Sequence, residues 1–224
     1  MNVQEATTRR LPDLKERHLP ENCRETINTI LKETYGYEQF RNLEIYDDLS
    51  KGKEKLCISQ GQLIENVILE AEKAWKGETQ VDNILLTAPT GSGKSLLFQL
   101  PAIYLGKEYN LLTIVVSPLK ALIVDQVESL QELGYMRVAY ASSDLSPEQK
   151  MEVYRQVREG EIDLFYLSPE LLLSYDIKHF VGERRIGLVV VDEAHTVTTW
   201  GKEFRVDYWF LGRYLTALKQ IGRA

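Results

Sequence analysis

The sequence predicts an α/β domain in which a mainly parallel sheet is covered by helices on both faces. Beyond residue 80, short apolar segments alternate with amphipathic helical segments, which is typical of a parallel sheet with crossover helices. Turn-forming residues or helix caps bound each apolar segment. With 224 residues, 44% of them hydrophobic, the chain can build one well-packed domain with an appended segment.

Several segments are predicted as strands because they are short, apolar and bounded by turn signals. They are residues 83–87, 112–116, 137–140, 164–167 and 187–191. Helices are expected in the intervals between them. Residues 119–133 carry apolar side chains at helical spacing, and residues 147–159 begin with Pro147 directly after Ser146, a favourable helix N-cap.

The first 80 residues differ from the rest in composition and pattern and are predicted to form a helical N-terminal extension. Residues 21–34 and 61–75 favour helices, whereas residues 47–55 are polar and charged, as in a loop. We therefore divide the chain into an extension, residues 1–80, and an α/β domain, residues 81–224.

Charge and cysteine content narrow the class of protein. The formal net charge of −6 gives no support for a nucleic-acid partner, so such a hypothesis must rest on motifs. The spacing of Cys23 and Cys57 suggests neither a zinc site nor a disulfide framework. The N-terminus lacks a signal-peptide pattern, and the apolar runs are far shorter than a membrane span. We expect a cytoplasmic protein without a membrane partner.

A phosphate-binding loop is predicted at residues 88–95, A-P-T-G-S-G-K-S, between an apolar strand and a helical run. Gly91 and Gly93 let backbone N–H groups turn towards phosphate oxygens. Lys94 adds a charge beside the β- and γ-phosphates, and the Ser95 hydroxyl is suited to hold Mg²⁺. The pattern implies ATP and Mg²⁺ as cofactors. The candidate binding residues in this loop are Thr90, Gly91, Ser92, Gly93, Lys94 and Ser95.

A pair of acids ends the last predicted strand, where residues 187–195 read G-L-V-V-V-D-E-A-H. Ligands of open parallel sheets bind at the carboxyl ends of the strands, where these acids should lie. We expect Asp192 to hold Mg²⁺ and Glu193 to act as general base on the attacking water. His195 is expected to couple the nucleotide site to a neighbouring surface. The catalytic candidates are Lys94, Asp192, Glu193 and His195.

Together these motifs resemble the DEAD/DEAH-box helicases of superfamily 2, whose first lobe is a RecA-like P-loop domain. Residues 117–127, S-P-L-K-A-L-I-V-D-Q-V, resemble the helicase segment that grips the backbone of a single strand. Residues 167–171, L-S-P-E-L, are similar to the next strand-binding segment. These S-P turns can also be plain helix caps, and the two roles are compatible. The candidate residues are Ser117, Pro118, Lys120 and Ser168.

The segment after the DEAH residues resembles the aromatic-rich loop of the RecQ family of 3′-to-5′ DNA helicases. It spans residues 196–212 and reads T-V-T-T-W-G-K-E-F-R-V-D-Y-W-F-L-G. The resemblance implies nucleic-acid contacts from Trp200, Phe204 and Arg205, and aromatic rings beside cations suit base stacking. The chain departs from the usual RecQ residues at Lys202, Glu203 and Val206.

Residues 35–41, Y-G-Y-E-Q-F-R, resemble the segment that frames the adenine in RecQ proteins, which makes Tyr37 and Arg41 candidates. RecQ proteins carry a glutamine shortly after the F-R pair, and here that position is Glu44. Gln62 is the better candidate for this glutamine. The spacing suggests that a loop and a helix are inserted in the segment of a divergent RecQ-like protein.

The resemblance implies an ATP-dependent DNA helicase lobe that couples hydrolysis to movement on single-stranded or forked DNA, in repair or defence. We find no second RecA-like lobe in the sequence and expect the chain alone to have weak activity. Two alternatives stay open. One is a non-catalytic ATP- or DNA-binding module that acts through a partner, and the other is an RNA-directed DEAH-box ATPase.

Overall fold

The computed structural model describes residues 20–46, 55–86 and 91–193. From residue 96 onwards, helices and strands alternate in the order predicted for a parallel α/β domain. In chain order, the described helices and strands are α1 (Glu25–Tyr35), β1 (Asn42–Tyr46), β2 (Lys55–Ser59), α2 (Gln60–Trp75), α3 (Leu96–Tyr109), β3 (Leu112–Val116), α4 (Lys120–Glu132), β4 (Val138–Ala141), α5 (Pro147–Glu159), β5 (Leu164–Leu167), α6 (Pro169–Leu173), α7 (Ile177–Val181) and β6 (Ile186–Val191).

The main sheet of the described residues has four parallel strands in the order β4-β5-β3-β6. The registers bring three strands to an end at one level, because Val116 lies beside Leu167 of β5 and beside Val191 of β6. Residues that directly follow these strands therefore share one edge of the sheet.

Helices cover both faces of this sheet, as predicted. Alternate residues of β3 enter different cores, since Ile114 packs with α5, α6 and α7 whereas Val115 packs with α1 to α4. Phe165 and Tyr166 of β5 divide in the same way. A strand that is buried on both faces favours apolar residues, which explains the run L-T-I-V-V in β3, where Thr113 is the one polar residue.

The helix predictions are largely confirmed, and their starts follow from capping. Ser59 and Ser146 form capping boxes with Gln62 and Gln149 at the starts of α2 and α5. α1 begins at Glu25, four residues later than the predicted 21, and is capped after Tyr35 by Gly36 in the left-handed conformation. In the described part of the chain, no helix has the length and apolar character to cross a membrane.

Strand prediction was wrong for residues 83–86. These residues form no strand, and Leu85 is 68% exposed. An apolar segment becomes a strand only when a neighbouring strand supplies hydrogen bonds, and residues 83–86 have no such ladder among the described strands. Residue 87 lies outside the described residues.

The N-terminal extension is not purely helical, because β1 and β2 form an antiparallel hairpin. The insertion expected as a loop and a helix is therefore a hairpin, and Lys55 begins a strand instead of ending a loop. Residues 47–54 lie outside the described residues. The apolar residues alternate with polar ones in L-E-I and L-C-I-S, as strand pairing requires.

The hairpin closes at its base, so residues on either side of the insertion become neighbours. The Gln60 N–H donates to the Arg41 carbonyl at 2.9 Å. Gly61 lies directly under Phe40, because a Cβ there would stand 2.6 Å from the Phe40 ring. The segment that ends at Arg41 thus joins the start of α2 despite the intervening strands.

Candidate nucleotide and nucleic-acid site

Three of the predicted functional segments begin at the carboxyl edge of the sheet. Ser117 follows β3, Ser168 follows β5 and Asp192 follows β6. Backbone hydrogen bonds hold them level: the Ser117 N–H donates to Leu167 at 3.1 Å, and the Asp192 N–H donates to Val116 at 2.9 Å. The two segments predicted to bind a nucleic-acid strand and the acid pair therefore start side by side.

The phosphate loop reaches the same edge because α3 runs back along β3. Only Asn110 and Leu111 separate the end of α3 from β3, and Asn110 turns the chain in the left-handed conformation. The 14 residues of α3 span ~21 Å, against ~17 Å for the five residues of β3. The start of α3, next to Ser95, thus lies near the level at which β3 ends.

Side-chain hydrogen bonds join the phosphate loop to α4, the helix that begins within the segment predicted to bind a nucleic-acid strand. The Gln126 amide of α4 donates to the Ser95 hydroxyl at 3.0 Å and accepts from Gln99 at 2.7 Å. Gln99 also donates to the Tyr166 hydroxyl of β5 at 3.2 Å. Burial raises the pKa of Tyr166, and the nearby Asp192 carboxylate contributes to the rise. A chain of side-chain hydrogen bonds therefore joins Ser95 to Tyr166 of the sheet, whose hydroxyl lies within electrostatic reach of Asp192.

Both glycines of the loop adopt the backbone conformation that the motif requires. Gly91 and Gly93 have φ values of 79° and 77°, in the region that only glycine enters without strain. The Gln60 amide donates to the Ser92 carbonyl at 3.0 Å. A Cβ at Gly93 would stand 2.7 Å from that amide, so the loop and Gln60 are closely fitted. Thr90 lies outside the described residues.

The loop also holds a buried polar atom suited to a phosphate. The Ser92 hydroxyl oxygen is buried and has no hydrogen-bond partner within the described part of the chain. A buried hydroxyl without a partner is costly, so a site of this kind favours a ligand that accepts its hydrogen bond. Phosphate oxygens do so, which fits the nucleotide prediction.

The acid pair has a strained backbone. Glu193 has a φ of 51°, which is uncommon for a residue with a side chain. The Asp192 carboxylate accepts a hydrogen bond from the Glu193 N–H at 2.8 Å, which fixes one carboxylate oxygen. His195 lies outside the described residues.

Mg²⁺ fits the donors present at this edge. No cluster of three or more His, Cys, Asp or Glu side chains occurs among the residues that the structure describes. Mg²⁺ prefers oxygen ligands and is commonly held by one or two protein groups together with phosphates. The Ser95 hydroxyl and the Asp192 carboxylate are ligands of this type.

The predicted adenine-framing residues are only partly assembled near the loop. Tyr37 is 50% exposed and stacks on Tyr35, with ring centroids 6.2 Å apart. The Gln62 amide is engaged at the start of α2, accepting from Ser59 and donating to the Pro20 carbonyl at 3.1 Å. None of these contacts of the Gln62 amide reaches residues 91–95, the described part of the phosphate loop.

Gln60, two residues before Gln62, contacts the phosphate loop. Its amide oxygen accepts from the Arg41 N–H at 3.2 Å, while its amide nitrogen holds the Ser92 carbonyl. Gln60 is 2% exposed and bridges the F-R pair to the phosphate loop. The Arg41 side chain is exposed.

The strand-binding candidates differ in their present contacts. The Ser117 hydroxyl is buried without a partner among the described residues, and Pro118 is half-buried. Lys120 is exposed and pairs with Asp144 at 2.9 Å. Ser168 caps α6 by accepting from the Leu171 N–H at 3.3 Å. Three further candidates, Trp200, Phe204 and Arg205, lie outside the described residues.

A family model for the DEAD/DEAH box helicase matches residues 62–220 of this chain. The chain belongs to the DEAD/DEAH box helicase family. The predicted resemblance is thereby confirmed, together with the RecA-like α/β fold that the four-stranded parallel sheet forms.

Several relatives of this DEAD/DEAH box chain are ATP-dependent DNA helicases called RecQ. The protein from Haemophilus influenzae is 30% identical over 187 residues, which cover 84% of this chain and 25% of that protein. The Synechocystis protein is 34% identical over 191 residues, covering 84% and 33%. The chain thus spans between a quarter and a third of the length of these relatives.

Solved helicase structures also align with this DEAD/DEAH box chain. The helicase MrfA bound to DNA and AMPPNP is 22% identical, with a TM-score of 0.48 over 80% of this chain and 22% of that one. The UvsW helicase from bacteriophage T4 is 16% identical, with a TM-score of 0.46 over 83% of this chain and 56% of that one.

Sequence reasoning missed three glutamines of this DEAD/DEAH box domain, Gln60, Gln99 and Gln126. Gln99 carried a signal, because a polar residue within the apolar run L-L-F-Q-L must find partners when the helix is buried. Gln126 lies within the strand-binding segment, but its direction towards Ser95 depends on how α4 packs on α3. Gln60 became a neighbour of the loop only through the hairpin.

Proposed function

We propose that this chain is the ATP-binding lobe of a RecQ-like DNA helicase, which couples ATP hydrolysis to 3′-to-5′ movement along single-stranded DNA. The observation that carries the proposal is the shared sheet edge, at which Ser117, Ser168 and Asp192 begin and to which Gln126 ties Ser95. The RecQ relatives, named as ATP-dependent DNA helicases, support the choice of DNA over RNA.

Phosphate binding would depend on the loop that precedes α3. Backbone N–H groups at Gly91 to Ser95 and the start of the helix favour negative charge, and the Lys94 ammonium adds a point charge. Ser95 and Asp192 would hold Mg²⁺, which supplies positive charge beside the phosphate oxygens.

Hydrolysis would use Glu193 as the general base. The Glu193 carboxylate takes a proton from a water molecule while the water oxygen forms a bond to the γ-phosphorus. The bond from that phosphorus to the β–γ bridging oxygen breaks, so ADP and inorganic phosphate leave. His195 would relay the state of this site to the surface that holds DNA.

The DNA strand would lie across the ends of β3 and β5. Ser117, Pro118, Lys120 and Ser168 would contact its phosphates, because helix starts and a lysine suit phosphate oxygens. A phosphate would replace Asp144 as the partner of Lys120. In the aromatic-rich loop, Trp200 and Phe204 would stack on bases and Arg205 would pair with a phosphate.

The proposed nucleotide site also includes residues that would frame the adenine and a second lobe that would close on it. Tyr37, Arg41 and Gln62 would frame the base, within an extension that ends at residue 80 and precedes the ATP-binding domain of residues 81–224. A second RecA-like lobe, from other residues or another chain, would close on the same edge and supply an arginine finger.

The test is ATP hydrolysis in the presence of the second lobe of a RecQ relative, with single-stranded DNA or RNA of matched sequence. We expect DNA to stimulate hydrolysis more than RNA does. Glu193→Gln should lower the stimulated rate by about 100-fold and leave nucleotide affinity within about twofold, because a general base contributes roughly that factor. Stronger stimulation by RNA would favour an RNA-directed ATPase, and equal rates for Glu193→Gln and the unchanged chain would exclude its role as base.

A further inference from the structure

Gln126 holds the Ser95 hydroxyl through an amide whose two ends are both engaged. Its amide nitrogen donates to the Ser95 oxygen at 3.0 Å, and its amide oxygen accepts from Gln99 at 2.7 Å. Gln126 keeps this orientation because a flip would set its NH2 group against the NH2 group of Gln99. The donor therefore stays directed at Ser95.

Gln99 is fixed in turn from two further elements. It is 5% exposed, and its amide oxygen accepts from the Tyr35 hydroxyl at 2.9 Å. Its amide nitrogen uses one hydrogen for Gln126 and the other for the Tyr166 hydroxyl at 3.2 Å. All the hydrogens of this amide are thus used, and the position of Gln126 is set by α1, α3 and β5 together.

The bond from Gln126 determines what the Ser95 hydroxyl can still do. A serine hydroxyl has one hydrogen to donate and two lone pairs to offer. When Gln126 donates to one lone pair, the second lone pair can coordinate a cation and the hydrogen can be donated elsewhere. Without Gln126 the hydroxyl is free to rotate and the lone pair has no fixed direction.

We propose that Gln126 is a positioning residue for the Mg²⁺ ligand Ser95. The inference rests on the proposed function, in which Ser95 holds the metal. Partners that orient a metal ligand typically contribute 10- to 100-fold in metal affinity. Gln126 acts from α4, whose first residue is Lys120, so the metal ligand is held by the helix that begins in the strand-binding segment.

The test measures binding of a fluorescent ATP analogue by the full chain while Mg²⁺ is titrated, and again in EDTA. Gln126→Met retains much of the side-chain volume but cannot donate to Ser95. We expect this variant to need about tenfold more Mg²⁺ for half of the metal-dependent gain in affinity. Its affinity in EDTA should stay within about twofold, because the loop and Lys94 remain. Gln131→Met, the same change farther along α4, should match the unchanged chain in both conditions.

Repeating the measurement in a chain that carries Ser95→Ala distinguishes the positioning role from a merely structural one. If Gln126 acts through the serine hydroxyl, Gln126→Met has no further effect on the Mg²⁺ requirement once Ser95→Ala is present. A further loss in that background would overturn the inference. If Gln126→Met does not fold, Gln126→Leu replaces it with the same expected results.

The remaining outcomes distinguish the inference from the proposed function. Equal Mg²⁺ requirements for Gln126→Met and the unchanged chain overturn the inference alone. No effect of Mg²⁺ on binding by the unchanged chain overturns the proposed nucleotide site and the role of Gln126 with it.

Discussion

At the scale of single residues, Lys94 provides the plainest test of the nucleotide site. Lys94→Ala removes the charge proposed to contact the β- and γ-phosphates. Hydrogen bonds to charged groups contribute about 1.5–3 kcal/mol, so ATP affinity should fall by roughly 10- to 100-fold. Fluorescence titration with an ATP analogue measures this loss. Lys107→Ala changes an exposed lysine in the last turn of α3, the helix that follows the loop, and should leave affinity unchanged. Equal affinities for the two variants would contradict the assignment.

At the residue scale, the sequence indicates a feature where a motif fixes local chemistry and does not where distant segments meet. The left-handed conformations of Gly91 and Gly93 follow from the motif alone, since the loop must turn N–H groups inward. The contact of Gln60 with the Ser92 carbonyl does not, because the base of the hairpin brings Gln60 to the loop. The sequence-predicted roles of Lys94, Asp192 and Glu193 stay predictions.

At the scale of elements, a buried ion cluster attaches α1 to α2. The Arg24 guanidinium lies 2.6 Å from a Glu65 oxygen and 2.7 Å from a Glu72 oxygen, both carboxylates being largely buried. Burial alone raises the pKa of Glu72, but hydrogen bonds from Arg24 and two tyrosines outweigh it and hold this pKa below its ordinary value of 4.5.

Arg24→Met should destabilise the fold by about 3 kcal/mol, because it leaves two buried carboxylates without their cation. A pKa that is lower in the folded chain gives stability above the unfolded value of 4.5, and this stability is lost as pH falls through the folded value. Urea unfolding at pH 7 and near pH 4 should therefore show a smaller difference between variant and unchanged chain at the lower pH. Arg155→Met, within an exposed set of ion pairs, should change stability little at either pH. A constant difference across pH for Arg24→Met would contradict the linkage.

Packing around Asp163 predicts that Gly106→Ala lowers the stability of the fold, whereas helix propensity alone predicts a gain. Alanine is favoured over glycine inside helices by about 1 kcal/mol, so Gly106→Ala in α3 would stabilise an isolated helix. In the fold, a Cβ at Gly106 would stand 2.3 Å from the Asp163 carboxyl carbon, and Arg137 and Arg184 hold that carboxylate in place. We expect a loss of about 1–3 kcal/mol in the free energy of unfolding, measured with urea. A higher unfolding midpoint for Gly106→Ala would show that the carboxylate can move away.

Element predictions followed periodicity and were least successful where pairing is non-local. α5 matches its predicted range because Ser146 and Pro147 mark its start and Gly160 its end. The hairpin of β1 and β2 was missed because each strand is short and its alternating apolar residues lie within a polar part of the sequence. Residues 83–86 had the composition of a strand but no partner strand among the described residues.

At the scale of the whole molecule, the strand order brings motifs that are distant in sequence to one edge of the sheet. The order β4-β5-β3-β6 places the ends of β5, β3 and β6 next to one another. The sequence predicts that each motif follows a strand, and hence that all lie at the carboxyl edge. It does not predict which strands are neighbours, because order depends on how the crossover helices pack. The net charge of −6 carried no information about this edge.

The most direct test of a shared site is a double-mutant cycle on Ser95 and Asp192, read as the gain in ATP-analogue affinity that Mg²⁺ produces. If both groups hold the same ion, Ser95→Ala and Asp192→Asn each lower this gain, and the double variant loses little more than the more severe single variant. Losses that add fully in free energy would show that the two residues act at separate places, and would contradict a common magnesium–nucleotide site at this edge of the sheet.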